Sequence, residues 1–513
     1  MTDPSFGSVL RTRGSGDRGD EIAIRMGAET ITWRDLDRRS GARAAELIAH
    51  GVGVDDLVGI SLPNGVAHHE WTFAAWKAGA TPCIFPSRLP GAELEEIIAL
   101  ANPRVLVAPT GQVSGATTAI AADGPIPAVG ATDAVPTDLV ATCWKALASG
   151  GSTGRPKLIV DHGEARLNAR ISGLLQFARI PADGVLLNPG PLYHNGPFLF
   201  SNLALIAGAQ LIEMERFDAR ECLALIEAHR VEWVCLVPAM MHRIWSLPPE
   251  VRNAYDLSSL KVVIHMAAAC PIWLKQAWIE WLGPERILEA YAGTEGAGTL
   301  INGVDWLRKP GSVGQVASGA LTVRNEEGEV CAPGEVGEIY FPAGAADRFH
   351  YVGAEPRLDA DGRMSLGDLG HVDADGYLFL ADRRTDLIIR GGANIYAAEV
   401  EAALSEHPEV LSAVVIGLPS EDLGQRVHAI VEVASSTDLD ATILDAFVAA
   451  RLSTYKRPET YEFTRDPLRD EAGKVRRPAL REERLTWLRD DRPFRVAVRP
   501  FPATQDRETP HVS

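Results

Sequence analysis

The sequence has few cysteines, and they do not group as a metal site or a disulfide framework. Its six cysteines stand far apart among 513 residues, and no two follow CxxC spacing. This usage is typical of free thiols in a reducing compartment, so we expect a cytoplasmic protein. The first ten residues, MTDPSFGSVL, also lack the basic and apolar segments of a signal peptide, and we expect none.

Long apolar runs and an excess of positive charge are missing as well. The most apolar stretch, 197–212, is interrupted by Ser201, Asn202 and Gln210. It is too short to span a bilayer comfortably, so it predicts buried core. The formal net charge is −18 at pH 7, which disfavours nucleic acid and anionic membranes as partners. An anionic ligand would therefore need local clusters of lysine and arginine.

Strand and helix patterns alternate over much of the chain. Short apolar strands such as 57–62 and 105–108 are interleaved with helical patterns such as 66–78. This order predicts an α/β fold in which parallel sheets are covered by helices. The polar Gly/Arg segment 11–20 is expected to be loop, and no internal repeat is visible.

The length of the chain is sufficient for more than one domain. After about Pro310, glycine-rich turns separate short strands, a pattern that predicts a β-barrel-like subdomain. A small α+β unit is predicted to follow it. We predict an N-terminal domain over 1–381, a hinge at 382–386, a C-terminal domain over 387–490 and a frayed tail over 491–513.

The strongest motif is a run of glycine and hydroxyl residues that ends in a lysine. Glycines let the backbone approach an anion closely and aim N–H groups at it, and hydroxyls add further donors. The run is not a Walker A loop, because it lacks the Gly-Lys-[Ser/Thr] ending. A flexible linker is the alternative, but the Gly-Arg-Pro-Lys ending favours a polyphosphate site. The candidate residues are Ser149, Gly150, Gly151, Ser152, Thr153, Gly154 and Lys157.

This run resembles the phosphate loop of the adenylate-forming enzymes, which include acyl-CoA synthetases, non-ribosomal peptide adenylation domains and firefly luciferase. Matching motifs follow in the same order along nearly the whole chain. They are Tyr193-His194-Asn195-Gly196, Tyr291-Ala292-Gly293-Thr294-Glu295, Leu366-Gly367-Asp368, Asp382-Arg383-Arg384-Thr385-Asp386, Gly391-Gly392 and the loop that ends in Lys474. The form of the phosphate loop looks closest to bulky-acid CoA ligases of the bile-acid or steroid-acid type. The resemblance also implies that the C-terminal domain is mobile about the hinge, where Thr385 departs from the Lys or Asp that the family often has.

The resemblance implies ATP, Mg²⁺ and coenzyme A as cofactors and a role for each motif. Catalytic roles fall to Lys474, His194 and Thr153, and Glu295 is the metal ligand, since a hard cation prefers carboxylate oxygen. Besides the phosphate run, the residues implied in nucleotide and coenzyme A binding are Tyr291, Thr294, Asp368, Arg383, Gly391 and Gly392. Taken alone, most of these residue types are more often structural; their order along the chain carries the assignment.

The implied reaction is activation of a carboxylic acid to acyl-AMP with release of pyrophosphate, followed by acyl transfer to coenzyme A. The expected acyl pocket includes His194, His265, Met266, Ala267, Ala268 and Gly293. Several of these residues are small and leave volume, so we expect a bulky apolar acid.

Three alternatives remain open at this point. The acyl group could pass to the phosphopantetheine thiol of a carrier protein, although no attachment domain is fused here. A luciferase-like oxygenase would share the motifs and differ in its pocket. A non-catalytic nucleotide-binding protein is disfavoured by the joint presence of Thr153, Glu295, Asp368, Arg383 and Lys474. The sequence also leaves a homodimer open.

Overall fold

The computed structural model describes residues 3–89, 91–110, 118–126, 136, 139–150, 156–296, 298–317, 319–420, 422–434, 439–471, 473–490 and 492, apart from the side chains of 149, 150 and 156. The chain divides into two compact units. The first is Met1–Leu380 together with Glu471–Lys474, and the second is Ala381–Asp470 together with Val475–Ser513. The second unit thus begins next to the predicted hinge, while the segment that carries Lys474 groups with the first.

The first unit is built from alternating helices and strands. Its described helices are α1 (Phe6–Ser15), α2 (Trp33–Ala49), α3 (Val66–Lys77), α4 (Gly91–Ala101), α5 (Ala169–Phe177), α6 (Asn195–Ala207), α7 (Ala219–His229), α8 (Pro238–Trp245), α9 (Pro249–Arg252), α10 (Ile272–Leu282) and α11 (Gly303–Arg308). Its described strands are β1 (Ile22–Met26), β2 (Glu29–Thr32), β3 (Leu57–Ile60), β4 (Thr81–Ile84), β5 (Val105–Ala108), β6 (Thr118–Ala121), β7 (Lys145–Gly150), β8 (Pro156–Asp161), β9 (Val185–Asn188), β10 (Gln210–Glu213), β11 (Trp233–Leu236), β12 (Val262–Met266), β13 (Ile287–Ala292), β14 (Gly298–Asn302), β15 (Ser312–Gln315), β16 (Thr322–Arg324), β17 (Gly337–Phe341), β18 (Phe349–Val352), β19 (Arg357–Leu358), β20 (Met364–Val372) and β21 (Tyr377–Arg383).

Two large sheets dominate this unit. One has eight strands in the order β14-β13-β12-β11-β9-β10-β1-β2, and the other has seven in the order β18-β8-β7-β4-β3-β5-β6. The α/β class is confirmed, and the central strands of both sheets are parallel. The expectation of parallel sheets is wrong at the edges, where β14, β2, β8 and β18 pair in antiparallel fashion. Three of these pairings join strands linked by short loops, which form antiparallel hairpins because a parallel pairing needs a long crossover. Strand β18 instead joins β8 from a distant part of the chain.

A third sheet lies within the glycine-rich part of the first unit. It follows the order β15-β21-β20-β17-β16, with β19 added on β20. The pairings of β15 with β21, β16 with β17, β17 with β20 and β19 with β20 are antiparallel. Val313, Ile339, Phe341 and Leu378 are buried in its core. The change of pattern after Pro310 therefore marks a real change of architecture.

The N-terminal segment contradicts its sequence-based assignment. Residues 11–20 were expected to be loop, but α1 continues through Ser15, and only residues 16–20 lie in bend and turn. The side chain of Ser5 caps the helix by accepting from Ser8 N at 3.1 Å, and Phe6 is fully buried against Trp76 with ring centroids 4.9 Å apart. Burial of the apolar face stabilises the helix although its exposed face is rich in polar residues.

The second unit has its own core. Its described elements are β22 (Ile388–Arg390), β23 (Ala393–Ile395), α12 (Ala397–Ser405), β24 (Val410–Ser420), β25 (Gly424–Val433), α13 (Ala441–Ala449), β26 (Thr460–Thr464) and α14 (Arg477–Arg489). Strands β24, β25 and β26 form one sheet, and β22 pairs with β23. Within the described residues of both units, no helix combines the length and apolarity needed to cross a bilayer.

Candidate active site

The predicted phosphate loop is the connection of a β-hairpin. Strands β7 and β8 are antiparallel, with Ser149 opposite Lys157 and Gly150 opposite Pro156. The two strands thus end at the loop, and Lys157 lies next to the loop at the start of β8. Four predicted phosphate ligands, Gly151, Ser152, Thr153 and Gly154, lie outside the described residues.

Lys157 meets the predicted metal ligand beside this loop. Its Nζ lies 3.6 Å from Oε1 of Glu295 and 3.9 Å from the ring centroid of Tyr351. The Tyr351 hydroxyl donates to the same Glu295 oxygen at 2.6 Å. Burial, together with the Glu295 charge and this hydrogen bond, raises the pKa of Tyr351, so the phenol remains a neutral donor near pH 7. The carboxylate is therefore held from two sides.

The backbone before Glu295 passes close to two side chains. A Cβ on Gly293 would lie 2.6 Å from Oε2 of Glu295 and 2.7 Å from Cδ1 of Leu366. Both distances are shorter than real Cβ contacts, so a side chain at position 293 would displace the Glu295 carboxylate and the Leu366 methyl group. Gly293 was predicted as part of the acyl pocket; the structure also makes it a neighbour of the Glu295 carboxylate.

The predicted adenine and ribose residues form a second pair. The hydroxyl of Tyr291, in β13, donates to Oδ2 of Asp368, in β20, at 2.8 Å. The Tyr291 ring is stacked near Phe341, with ring centroids 6.4 Å apart. Two motifs that lie 77 residues apart in the chain are thus brought into one place. Thr294 lies in the turn that follows β13, directly before Glu295 in the chain.

His194 stands at the entrance of α6. It is the N-cap residue of that helix, and the ring of Tyr193 lies 4.5 Å from its ring. Met266 approaches the same helix, since a Cβ on Gly196 would lie 3.1 Å from its sulfur. The structure therefore brings together two of the predicted acyl-pocket motifs.

The remaining predicted pocket residues do not all share one face. Ala267 is exposed and Ala268 is half-buried at the end of β12. Ala267 has φ +75°, a left-handed conformation that is strained for a residue with a Cβ. His265 and Met266 are consecutive in a strand, so their side chains point to opposite faces of the sheet.

His265 belongs to a buried charged cluster. Its Nε2 is 4.0 Å from Oε2 of Glu289, which in turn accepts from Lys275 at 2.5 Å. Burial holds the pKa of His265 well below its usual value. Burial also raises the pKa of Glu289 and lowers that of Lys275. A neutral imidazole therefore lies beside a paired carboxylate.

In the second unit, Gly391 and Gly392 form the turn between β22 and β23. Their φ values are +55° and +82°, as two-residue hairpin turns with glycine at both central positions require. Asp382 accepts hydrogen bonds from the backbone N–H of Ala398 and of Arg383 at 3.1 and 2.7 Å. Arg383 is exposed in this unit, and Lys474, which groups with the first unit, is exposed as well.

Tyr351 is the clearest site residue that the motifs missed. It lies in β18, which pairs with β8 so that Tyr351 stands opposite Ile159. Its place beside Glu295 depends on this long-range pairing. The alternation of Phe349, His350, Tyr351 and Val352 could have indicated a strand but not its partner.

The described side chains fit a magnesium-bound nucleotide. A buried carboxylate on Glu295 can bind a hard cation, and Lys157 beside it can neutralise phosphate oxygens. Tyr291 and Asp368 offer an aromatic face and an acceptor for ribose hydroxyls. When bound, Mg²⁺ would supply charge neutralisation at the leaving phosphates.

The chain is similar to known proteins over most of its length. A family model described as AMP-binding enzyme matches residues 12–344, and one for the AMP-binding enzyme C-terminal domain matches 399–474. A feruloyl-CoA synthase from Amycolatopsis sp is 33% identical over 458 residues, covering 86% of this chain and 91% of that relative. A 3-[(3aS,4S,7aS)-7a-methyl-1,5-dioxo-octahydro-1H-inden-4-yl]propanoyl:CoA ligase from Mycobacterium tuberculosis is 31% identical over 502 residues, covering 90% and 96%. The crystal structure of ATP-bound MatB from Rhodopseudomonas palustris superposes with a TM-score of 0.78 at 25% identity, covering 95% of this chain and 100% of that one.

Proposed function

The chain belongs to the AMP-binding enzyme family, and on this premise we propose that it is an acid–thiol ligase for a bulky apolar carboxylic acid. It activates the acid with ATP and transfers the acyl group to coenzyme A. The observation that carries this proposal is the convergence of Lys157, Glu295, Tyr291 and Asp368 in the first unit. That set matches what a magnesium nucleotide requires.

The first half-reaction is mainly a problem of charge and position. A carboxylate attacks the α-phosphate, the new C(O)O–P bond forms, and pyrophosphate leaves with the electrons of the broken P–O bond. Lys157 and the amides of the phosphate loop neutralise the leaving phosphates, and Lys474 neutralises the α-phosphate and orients the carboxylate. Preorganised charges of this kind lower the barrier because they need no rearrangement during reaction.

The second half-reaction transfers the acyl group. The coenzyme A thiol attacks the acyl carbon, the thioester C–S bond forms, and AMP leaves with its phosphate oxygen. Gly391 and Gly392, with no side chains, let the backbone of the β22–β23 turn pass close to the pantetheine arm. His194, at the start of α6, lies at the junction of the acyl and nucleotide subsites.

The proposed acid is bulky and apolar because the residues around its expected pocket are small. Ala267, Ala268 and Gly293 occupy little volume and are exposed or half-buried. Two relatives named for ring-containing acids support the same class. We place the enzyme in the cytoplasm, where its six free cysteines would remain reduced.

A panel of carboxylic acids tests this proposal. Acetate, a long-chain fatty acid, cinnamic-type aromatic acids and fused-ring propanoic acids are each scored by pyrophosphate release, with and without coenzyme A. We expect ring-containing acids to give the highest kcat/KM and coenzyme A to raise turnover. Preference for acetate would reject the proposed substrate class. A carrier protein replaces coenzyme A in a parallel arm, and multi-angle light scattering tests the homodimer.

A further inference from the structure

A buried lysine connects two parts of the first unit that carry site motifs. Lys145 is the first residue of β7, the strand that leads into the phosphate loop. It is 2% exposed, and its Nζ donates to Oδ1 of Asn195 at 2.9 Å. Asn195 is the first residue of α6 and directly follows His194. One side chain thus spans from the phosphate-loop hairpin to the helix behind His194.

The charge of Lys145 is balanced at the base of the same hairpin. Lys145 is the register partner of Asp161, the last residue of β8, and its Nζ lies 3.5 Å from Oδ2 of Asp161. Asp161 also pairs with Arg170 at 2.7 Å and accepts from the backbone N–H of Gly163 at 3.0 Å. The first residue of β7 and the last residue of β8 are therefore joined by an ion pair at the end of the hairpin opposite the phosphate loop.

This arrangement differs from what helix stability alone would select. A cation near a helix N-terminus opposes the helix dipole, and burying an ion pair often contributes little net stability. Burial lowers the pKa of Lys145, while Asp161 opposes this shift. Stability alone therefore does not explain why the buried Lys145 donates a hydrogen bond to Asn195. The bond is better explained by the position in which it holds Asn195.

We propose that Lys145 is a positioning residue that fixes the spacing between the phosphate-loop hairpin and the first turn of α6, and so the spacing between the nucleotide and His194. The inference rests on the proposed ligase function. Lys145 itself is buried and acts through Asn195. Because reacting groups misplaced by about 1 Å can slow a reaction by up to roughly 100-fold, loss of this link should reduce adenylation without removing either binding site.

The test compares N195A, K145M, their double variant, K145R and one control variant, each in the full chain. N195A removes the hydrogen bond and keeps the Lys145–Asp161 pair, and K145M removes both. K77M is the matched control, because Lys77 is a similarly buried lysine, 4% exposed, that pairs with Asp37 at 2.5 Å. ATP–pyrophosphate exchange gives kcat and KM for the acid and for ATP separately.

We expect N195A and K145M each to lower kcat/KM for the acid about tenfold, and N195A to change KM for ATP less than about twofold. The N195A/K145M double variant should have a kcat/KM no lower than that of the more impaired single variant, because both substitutions break the same Lys145–Asn195 hydrogen bond. K145R should recover part of the loss. K77M should lower the melting temperature and leave both kinetic constants unchanged. Wild-type kinetics in N195A, or additive losses in the double variant, would overturn the proposal.

A second measurement keeps the inference distinct from the ligase assignment. Hydrogen exchange of the peptide covering residues 191–200 reports directly on the start of α6. We expect faster exchange in N195A and K145M than in wild type and K77M. Unchanged exchange would refute the link even if every variant were active. If wild type adenylates none of the acids, the proposed function fails, whereas the exchange data still decide whether Lys145 holds this turn.

Discussion

The hydroxyl of Tyr351 donates a 2.6 Å hydrogen bond to Glu295, although 56 residues separate them in the chain. Lys157 stands over the same tyrosine ring and 3.6 Å from the same carboxylate oxygen. Tyr351 therefore orients the proposed metal ligand, and Lys157 balances its charge. The three side chains come from two paired strands and the turn after β13.

Replacing Tyr351 by Phe tests this orientation. A hydrogen bond to a charged group contributes about 1.5–3 kcal/mol, so Y351F should weaken binding of Mg²⁺ with a non-hydrolysable ATP analogue about tenfold. Calorimetric titration at several Mg²⁺ concentrations measures the effect. Y255F is the control, at a tyrosine packed in another core. Equal affinities in Y351F and wild type would show that Glu295 does not depend on this hydroxyl.

Gly293 should not accept a side chain. In G293A the new methyl would meet Glu295 and Leu366, so the carboxylate must move, and we expect pyrophosphate exchange to fall at least about tenfold. The variant G293A/L366A removes only the contact with Leu366 and should remain impaired. Full recovery of pyrophosphate exchange in that double variant would show that the contact with Leu366, and not the one with Glu295, causes the loss of activity.

Lys474 is expected to serve only the first half-reaction. K474A should abolish pyrophosphate exchange, because the charge at the α-phosphate is no longer neutralised, yet it should form thioester from supplied acyl-adenylate. The two half-reactions are assayed separately. Exchange at the wild-type rate would remove Lys474 from this role.

Ala267 stores backbone strain at the end of β12. Its φ of +75° costs an alanine about 1–2 kcal/mol and a glycine little, so A267G should raise the free energy of unfolding by about 1 kcal/mol. Urea denaturation provides the measurement. A268G is the matched control, because Ala268 has no positive φ, and it should lower stability instead. A loss of stability in A267G would contradict the strain.

Asp382 should make the second unit pH-sensitive. Burial raises the pKa of its carboxyl from 3.8 to about 6, so the folded state favours the protonated form. The stabilisation that protonated Asp382 gives to the folded state is fully present below about pH 4. It is lost as the pH rises through 6, and the loss is up to about 3 kcal/mol of unfolding free energy. Calorimetry of wild type and D382N from pH 4 to 7 should therefore show their difference in unfolding free energy shrinking or reversing as pH rises. A constant difference would refute the shifted pKa.

Much of the architecture could be predicted because local patterns encode it. The helix predicted over 66–78 is α3 (Val66–Lys77), and the strand predicted over 105–108 is β5 (Val105–Ala108). The spacing of apolar residues and the glycines at the ends of segments indicate such elements, and both signals come from neighbouring residues. The predicted loop over 11–20 was wrong for residues 11–15, because burial of Phe6 by a distant part of the chain outweighs local polarity, and it was right for residues 16–20.

The sequence by itself determined the family and the order of its motifs, since glycine, lysine and carboxylate residues at these spacings reflect the chemistry of phosphate and magnesium binding. Only the tertiary structure decided which residues support them. Tyr351 reaches Glu295 through an antiparallel strand pairing, and Lys145 reaches Asn195 from the far end of a hairpin. Such contacts depend on strand register and burial, which are set by the packing of the whole unit and leave no periodic signal in the chain.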